Sequence, residues 1–156
     1  MQSSKLEKII IGPARETLRY VDSVIAVPGR GLVGDRYFEG KGTFNHPKLS
    51  TTGRELSMIA YEALDECNAR LGTRLDFRDL RRNLVISNCD FEAIKEKVFW
   101  IGEVQLKINR SAPPCRYLSK LLGADMMEGL KYIGGYRVDI LSGGELRVGD
   151  TIRFMA

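Results

Sequence analysis

The stretch EVQLKIN, residues 103–109, alternates strictly between apolar and polar side chains. Val104, Leu106 and Ile108 fall on one side, and the residues between them are polar or charged. Because successive side chains of a β-strand point to opposite faces of a sheet, this pattern predicts a strand with one buried and one exposed face. Four further short runs predict strands: KLEKIII (5–11), VDSVIAV (21–27), NLVIS (83–87) and YRVDIL (136–141).

The C-terminal run ILSGGELRVGDTIRF, residues 140–154, predicts a hairpin. Glycine-containing turns at 143–144 and 149–150 separate two short strands, one around Leu146 and one beginning at Ile152. Glycine is the residue that tight hairpin turns most often require.

Two runs have helical rather than strand periodicity. IAYEALDECNARLG, residues 59–72, places apolar residues on one stripe and ends at Gly72, a plausible C′ residue. CRYLSKLLG, residues 115–123, predicts a second helix that is closed by Gly123. Residues 125–132 are expected to add one or two further turns.

Many short strands with few helices favour a closed sheet over a layered α/β arrangement. We therefore expect a mainly β protein, a closed β-barrel with a few helical excursions. The length of 156 residues suits one hydrophobic core, so residues 1–156 are expected to form a single domain.

Composition excludes several classes of function. No run of about 18 apolar residues is present, so no membrane span is expected. The N-terminus lacks a signal-peptide core, and three cysteines without CxxC spacing indicate a reducing compartment, so we expect a cytoplasmic protein. The net charge of +4 comes from scattered basic residues with few aromatics, which gives no support for nucleic-acid binding.

The segment GRGLVG, residues 29–34, matches the dinucleotide fingerprint GxGxxG literally. That fingerprint also needs a helix to begin there, and no helical pattern follows, so glycines that allow positive φ in a tight loop are the better interpretation. Asp35 and Arg36 follow this segment, and two interpretations are open. Either the two side chains form a buried ion pair that holds the loop, or Arg36 faces an anionic ligand. His46, the one histidine, lies in a polar run without the neighbours that a metal site needs.

Cys115 stands in unusual surroundings for a cysteine. It follows Pro113-Pro114, has Arg110 and Arg116 nearby in the chain, and precedes the second predicted helix. Positive charge and a helix start both stabilise the thiolate, which is the form that attacks electrophiles and binds metals. Cys115 is therefore a candidate nucleophile or metal ligand, and the alternative is a buried cysteine at a helix start. Cys67 and Cys89 are predicted to be packing residues.

In chain order, the segments VPGRGLVGDRYF, ELSMIAYEALD, RRNLVIS, VFWIGEVQLKI, APPCRYL and GGYRVDILSGGELRVGDTIRF resemble the MOSC domain, the module named for the C-terminal part of molybdenum cofactor sulfurases. The resemblance covers about residues 20–154. It implies a barrel of the pyruvate-kinase type and an essential cysteine at Cys115. In relatives that reduce N-hydroxylated compounds this cysteine ligates the molybdenum of a pterin cofactor, and in the sulfurases it carries a persulfide.

The same resemblance nominates residues that would hold the cofactor. The RRN segment resembles an arginine-x-asparagine element that holds the cofactor in the reductases, which implies that Arg81 and Asn83 do so here. Arg36 is the next candidate for a cofactor contact. Because the molybdenum-pterin cofactor is anionic, arginines are expected around it, which adds Arg110 and Arg116. Where some reductases have polar residues before the cysteine, this chain has Ala112-Pro113-Pro114.

The resemblance implies a protein that binds molybdenum-pterin cofactor or handles its sulfur through Cys115, and favours a molybdenum-dependent oxidoreductase-type subunit. Its partner would be an electron-transfer protein, since no redox domain is encoded in these residues. The alternative is a sulfur carrier that moves persulfide sulfur on Cys115 from a donor protein for metal–sulfur cofactor assembly. The chain contains no pyridoxal-phosphate desulfurase domain, so a carrier would need a separate sulfur donor.

Overall fold

The computed structural model describes residues 3–13, 17–35, 38, 55–112 and 116–154. The helices and strands in these ranges, in chain order, are β1 (Lys5–Ile11), β2 (Arg19–Val21), β3 (Ser23–Val27), β4 (Gly31–Leu32), β5 (Leu56–Ala60), α1 (Ala63–Leu71), α2 (Phe77–Leu80), β6 (Leu84–Ser87), α3 (Phe91–Ile94), β7 (Val98–Ile101), β8 (Val104–Ser111), α4 (Arg116–Leu122), α5 (Met126–Gly129), β9 (Tyr136–Ser142), β10 (Gly144–Arg147) and β11 (Ile152–Phe154). The protein is mainly β, as predicted.

The strands form two sheets. Eight of them make a mixed sheet in the order β11-β7-β8-β9-β5-β6-β1-β2, and the other three make a small sheet in the order β10-β3-β4. In the large sheet β5 and β6 run parallel, and the other paired neighbours are antiparallel. The strand predicted from EVQLKIN is β8, and its apolar residues Val104, Leu106 and Ile108 are all buried.

The prediction of a closed β-barrel is wrong. Within the described residues the eight-stranded sheet is open, with β11 and β2 at its edges, and β3, β4 and β10 pair in a sheet of their own. One isolated bridge joins Lys5 to Thr151, but it does not extend into a ladder. Alternation and glycine turns identify strands, whereas closure depends on which strands pair and in which register, and local patterns do not record that.

The predicted C-terminal hairpin is also wrong, although its strands exist. β9 pairs with β8 and β5, β10 pairs with β3, and β11 pairs with β7. The glycine turns therefore redirect the chain from one sheet to the other, and consecutive strands of the tail have partners far away in the sequence.

The first predicted helix begins later than its sequence suggests. Leu56–Ala60 is strand β5, which lies inside the sheet and is almost entirely buried, and α1 follows as Ala63–Leu71. A strand covered on both faces has no alternation, so its apolar run reads equally well as part of a helix. The C-terminal end was predicted correctly, since Gly72 caps α1 with a φ of 65°.

The large sheet carries a layer on each face. Its central strands alternate between two apolar clusters: in β1, Ile9 and Ile11 face the small sheet, and Ile10 faces the helices. The first cluster includes Val24, Ala26, Leu32 and Leu146 of the small sheet. The second joins the large sheet to residues of four helices: Ala63, Cys67, Phe77, Leu80, Leu118 and Met126. The architecture therefore has three layers, with the large sheet packed between the small sheet and the helices.

Among the residues described, no helix has both the length and the apolar character needed to cross a membrane.

Candidate functional site

A pocket of about 620 Å³ lies where the end of β8 meets the helical layer. Its walls are the end of β5, the first turn of α1, α3 with Lys95, the end of β8, and the chain from Met127 of α5 to Tyr136 of β9. Small-molecule sites in proteins commonly have volumes of roughly 300–1,000 Å³, so this pocket has the size of a ligand site.

The described lining of the pocket carries three carboxylates and two ammonium groups. The charged residues are Glu62, Glu66, Glu92, Lys95 and Lys131. Several of these groups already have protein partners. Glu66 forms an ion pair with Arg70 at 2.6 Å, and Glu62 accepts a hydrogen bond from the amide of Asn88 at 3.0 Å. The described part of the lining is therefore mixed in charge and not strongly cationic.

Aromatic groups complete two walls. The hydroxyl of Tyr136 donates to Glu92 at 3.4 Å, and the ring of Tyr136 packs on Phe91 with centroids 5.2 Å apart. Burial and the neighbouring Glu92 carboxylate raise the pKa of Tyr136, so the phenol stays protonated at neutral pH. Tyr132 is 93% exposed and has a φ of 67°, an uncommon backbone conformation for a non-glycine residue.

Ser111 and Ala112, at the end of β8, belong to the pocket wall. The amide of Ala112 donates to the carbonyl of Gly135 at 2.8 Å, which continues the pairing of β8 with β9 beyond Ser111 and Tyr136. The next three residues, Pro113, Pro114 and Cys115, lie outside the described residues. The predicted role of Cys115 as nucleophile or metal ligand stays a prediction.

The arginines nominated around the cysteine have different positions. Arg110 is exposed on β8 opposite Arg137 of β9, and Arg116 is exposed at the first residue of α4. The described lining of the pocket includes neither of them. Arg36 and His46 lie outside the described residues, so no geometry bears on them.

Arg81 and Asn83 flank the turn between α2 and β6. Arg81 is the C-cap of α2, with a φ of 60°, and is half-buried. Asn83 has its side chain bonded within the fold: its Oδ1 accepts from the amide and hydroxyl of Ser57 at 3.0 and 3.3 Å, and its Nδ2 donates to the carbonyl of Ile10 at 3.0 Å. In this structure Asn83 joins β5 to β1.

Sequence reasoning missed the residue between them. Arg82 is only 8% exposed, and its guanidinium donates to the carbonyl of Gly134 at 2.7 Å and to that of Ala112 at 2.8 Å. Both acceptors belong to the pocket wall. The doubled arginine before a buried strand was the one signal in the sequence, but residue type alone does not tell which of two adjacent arginines points inward.

Cys67 and Cys89 are packing residues, as predicted. Cys67, on α1, is fully buried in the apolar cluster between the large sheet and the helices, and burial raises the pKa of its thiol. Cys89 is half-buried against the core between the sheets, and burial together with Asp90 and Glu62 raises its pKa to about 11. Both are poor nucleophiles at neutral pH, since the reactive species is the thiolate.

The glycine loop has the conformation predicted for it. Gly29, Gly31 and Gly34 all have positive φ, and a Cβ on Gly31 would lie 2.5 Å from the carbonyl oxygen of Glu55. Asp35 is buried and accepts the amide of Gly12 at 2.9 Å. The loop thus packs closely against the start of β5, and the ion pair proposed between Asp35 and Arg36 stays a prediction because Arg36 is not described.

The described residues contain no group of three or more His, Cys, Asp or Glu side chains arranged to hold a metal ion.

The model of the MOSC domain family matches residues 40–153 of the chain. Among solved structures, the chain is similar to the YuaD protein from Bacillus subtilis, with a TM-score of 0.77 and 20% identity, over 97% of this chain and 94% of that one. It is also similar to YiiM from Geobacillus stearothermophilus (TM-score 0.69, 11% identity, 98% and 75% covered) and to YiiM from Escherichia coli (TM-score 0.69, 12% identity, 97% and 70% covered). These structural likenesses show a shared fold. No curated protein matches the chain.

Proposed function

Since the chain belongs to the MOSC domain family, which is linked to molybdenum cofactor sulfurases, we propose that it handles sulfur through Cys115. In this proposal Cys115 is the carrier residue: it accepts a sulfane sulfur from a donor persulfide and passes it to an acceptor. The observation that carries the proposal is the position of Ala112. This residue, three before Cys115 in the chain, forms part of the wall of a 620 Å³ pocket.

The chemistry of the transfer needs no redox partner. The Cys115 thiolate attacks the terminal sulfur of the donor persulfide, the donor S–S bond breaks, and the donor leaves as a thiolate. Cys115 then holds the sulfur as a persulfide, and attack by an acceptor nucleophile on its terminal sulfur restores the thiolate. The donor is a separate persulfide-bearing protein.

The other two thiols support the assignment to Cys115. Cys67 is fully buried, and Cys89 has a pKa of about 11, so neither provides thiolate at neutral pH. Exposed Arg116 follows Cys115 directly in the chain and supplies a positive charge beside it.

The described residues do not fit a phosphorylated, anionic pterin. In the part of the lining that the structure describes, three carboxylates stand beside two lysines, and Asn83, nominated to hold the cofactor, is bonded to Ser57 and Ile10. The described lining therefore carries no excess of positive charge that would attract an anion. We therefore place the carrier function ahead of molybdenum ligation, and no step of the transfer runs through the cofactor.

The test is to load the reduced protein with inorganic polysulfide and map the added sulfur by mass spectrometry. We expect one sulfane sulfur on Cys115 and none on Cys67 or Cys89, and no loading of Cys115→Ser. Urea denaturation of Cys115→Ser is the control, and its midpoint should match that of the wild type.

Metal analysis of the protein from a host that makes the cofactor distinguishes the two functions. The carrier proposal expects molybdenum and phosphorus well below one equivalent. Stoichiometric molybdenum that is lost in Cys115→Ser would overturn the proposal in favour of a molybdenum ligand. Sulfur loading that persists in Cys115→Ser would show that Cys115 is not the carrier residue.

A further inference from the structure

The pocket beside the end of β8 has an apolar floor and a charged rim. Its buried lining residues include Ala63, Phe91, Ala112 and Leu130, whereas the charged residues of the described lining are all exposed. A volume of about 620 Å³ is enough for a small organic molecule. Such a molecule would cover the floor with an apolar body and meet the rim with a polar group.

Two carboxylates are held in place at one end of the rim, beside the turn between β6 and α3. Glu62 accepts a hydrogen bond from the amide of Asn88 at 3.0 Å, and Glu92 accepts one from the hydroxyl of Tyr136 at 3.4 Å. Among the described residues, each carboxylate uses only its Oε1 in these bonds. Since a carboxylate has about four acceptor sites, both can accept further hydrogen bonds from a ligand.

Two neighbouring titratable groups show that this end of the pocket has a negative potential. Burial, and then the carboxylates of Asp90 and Glu62, raise the pKa of Cys89 to about 11. Burial, and then Glu92, raise the pKa of Tyr136. Carboxylates that disfavour a thiolate and a phenolate at this place favour a cation there for the same reason.

The lysines of the lining do not neutralise these carboxylates by direct contact. Within the described residues, neither Lys95 nor Lys131 forms an ion pair. The ammonium group of Lys131 lies instead 5.4 Å from the ring centroid of Tyr132. The carboxylates of Glu62 and Glu92 are therefore fixed by the fold and have no lysine paired with them.

Aromatic and apolar surface lies beside the same carboxylates. The ring of Tyr136 packs on Phe91 with centroids 5.2 Å apart, and at the rim Tyr132 is 93% exposed. Met127, which is 46% exposed, adds an adaptable apolar side chain to the lining. Aromatic faces attract organic cations and also pack against other rings. A ring that carries an ammonium group would find partners for both of its parts in this pocket.

We propose that the pocket binds a small organic amine, a protonated primary amine on an aromatic body. The ammonium group donates to Glu92 and Glu62, and the aromatic body packs over Phe91 and the apolar floor. This binding goes beyond the proposed sulfur transfer and does not depend on it, because every residue that it uses is described and no cysteine takes part.

Tryptamine is the probe, and tryptophol and indole-3-propionate are its neutral and anionic counterparts on the same ring system. Isothermal titration calorimetry at neutral pH measures the three dissociation constants. We expect tryptamine to bind about tenfold more tightly than tryptophol, since hydrogen bonds between charged groups are stronger than neutral ones. Indole-3-propionate should bind more weakly than tryptophol, because it brings a carboxylate to the acidic end of the rim.

Glu92→Gln removes one charge but keeps an acceptor for the hydroxyl of Tyr136. We expect the preference for tryptamine over tryptophol to fall about fivefold, while tryptophol binds as in the wild type. Glu62→Gln should reduce the same preference and serves as a second variant. Glu96→Gln is the matched control, since Glu96 is an exposed acid just beyond α3 and outside the described lining, and it should leave all three dissociation constants unchanged.

Several results would overturn the proposal. They are the absence of tryptamine binding, equal binding of tryptamine and tryptophol, a preference for indole-3-propionate, and wild-type selectivity in both Glu92→Gln and Glu62→Gln. Polysulfide loading of the same wild-type preparation keeps the two proposals apart. A protein that selects tryptamine but takes up no sulfur would refute the carrier function alone, and one that loads sulfur but does not bind tryptamine would refute the amine site alone.

Discussion

At the scale of single residues, Glu55 is a buried acid between the glycine loop and β9. It is 6% exposed and accepts the amide of Gly29 at 2.5 Å. Burial raises its pKa to about 7, and Asp139 of β9 adds to the shift because protonated Glu55 can donate a hydrogen bond to that carboxylate. The fold therefore holds Glu55 more favourably as the neutral acid than as the anion.

The raised pKa predicts how stability changes with pH. In the unfolded chain Glu55 titrates near 4.5 and in the folded protein near 7, so its favourable contribution is complete below pH 4.5 and is lost as the pH rises through 7. Between these values the free energy of unfolding should fall by on the order of 1 kcal/mol per pH unit because of this group. Urea denaturation across a series of buffers from mildly acidic to mildly alkaline pH measures the effect.

Glu55→Gln is the control for that prediction. Glutamine keeps an acceptor for the amide of Gly29 and a donor for Asp139 without a titrating proton. The difference in unfolding free energy between wild type and variant should grow with pH in favour of the variant. Parallel pH curves for the two proteins would show that Glu55 titrates normally in the fold.

At the scale of helices, α5 rests on α1 through a glycine. A Cβ on Gly129 would lie 2.6 Å from Cδ1 of Leu71 and 2.9 Å from Sγ of Cys67. The two helices approach so closely because position 129 has no side chain. This contact fixes the wall of the pocket that includes Met127 and Leu130.

Gly129→Ala should push α5 away from α1. We expect a loss of about 1–3 kcal/mol from overpacking, together with faster alkylation of Cys67 as the contact opens. Gly72→Ala is the comparison, because that glycine has a φ of 65° and a Cβ added to it would meet nothing within 4 Å. The expected cost of Gly72→Ala, about 1 kcal/mol of unfolding free energy, comes from backbone strain alone.

The alkylation rate of Cys67 distinguishes overpacking between α1 and α5 from backbone strain. Gly72→Ala should leave the alkylation rate of Cys67 as it is in the wild type. If Gly129→Ala also leaves it unchanged, the helices have room for the methyl group and the close contact does not position α5.

At the scale of the whole molecule, strand β10 attaches the small sheet to the core. Leu146 is fully buried and lies opposite Val24 of β3, so the pairing joins the C-terminal region to a strand near the start of the chain. Both belong to the apolar cluster between the two sheets. The C-terminal region thus holds the small sheet in place.

Leu146→Ala should therefore destabilise the whole protein. A buried leucine truncated to alanine costs about 2–5 kcal/mol, and urea denaturation followed by tyrosine and tryptophan fluorescence should show a single transition at lower urea. Leu141→Ala, at a residue of β9 that is 46% exposed, should change the unfolding free energy by only about 0.5 kcal/mol. Equal effects of the two substitutions would contradict a core layered between the two sheets.

Local patterns in the sequence were enough to identify several elements. The alternation in EVQLKIN predicted β8 with Val104, Leu106 and Ile108 buried, and Gly72 predicted the end of α1. These features depend on side-chain period and on backbone freedom at one residue, and both are readable from adjacent positions. The order of the motifs likewise indicated the MOSC family, which the match over residues 40–153 shows.

Pairing between distant segments was decided only in the tertiary structure. The tail strands looked like a hairpin, yet β10 joins β3 and β11 joins β7, and the sheet that was expected to close is open in the described chain. The RRN segment contains three polar side chains, and only the packing of the fold determines their partners. The Arg82 guanidinium donates to two backbone carbonyls, and the Asn83 side chain joins β1 to β5. The physical reason is the same in each case. A strand or a polar side chain satisfies its hydrogen bonds with whichever partners the whole fold brings within reach, and that choice is not encoded next to it in the chain.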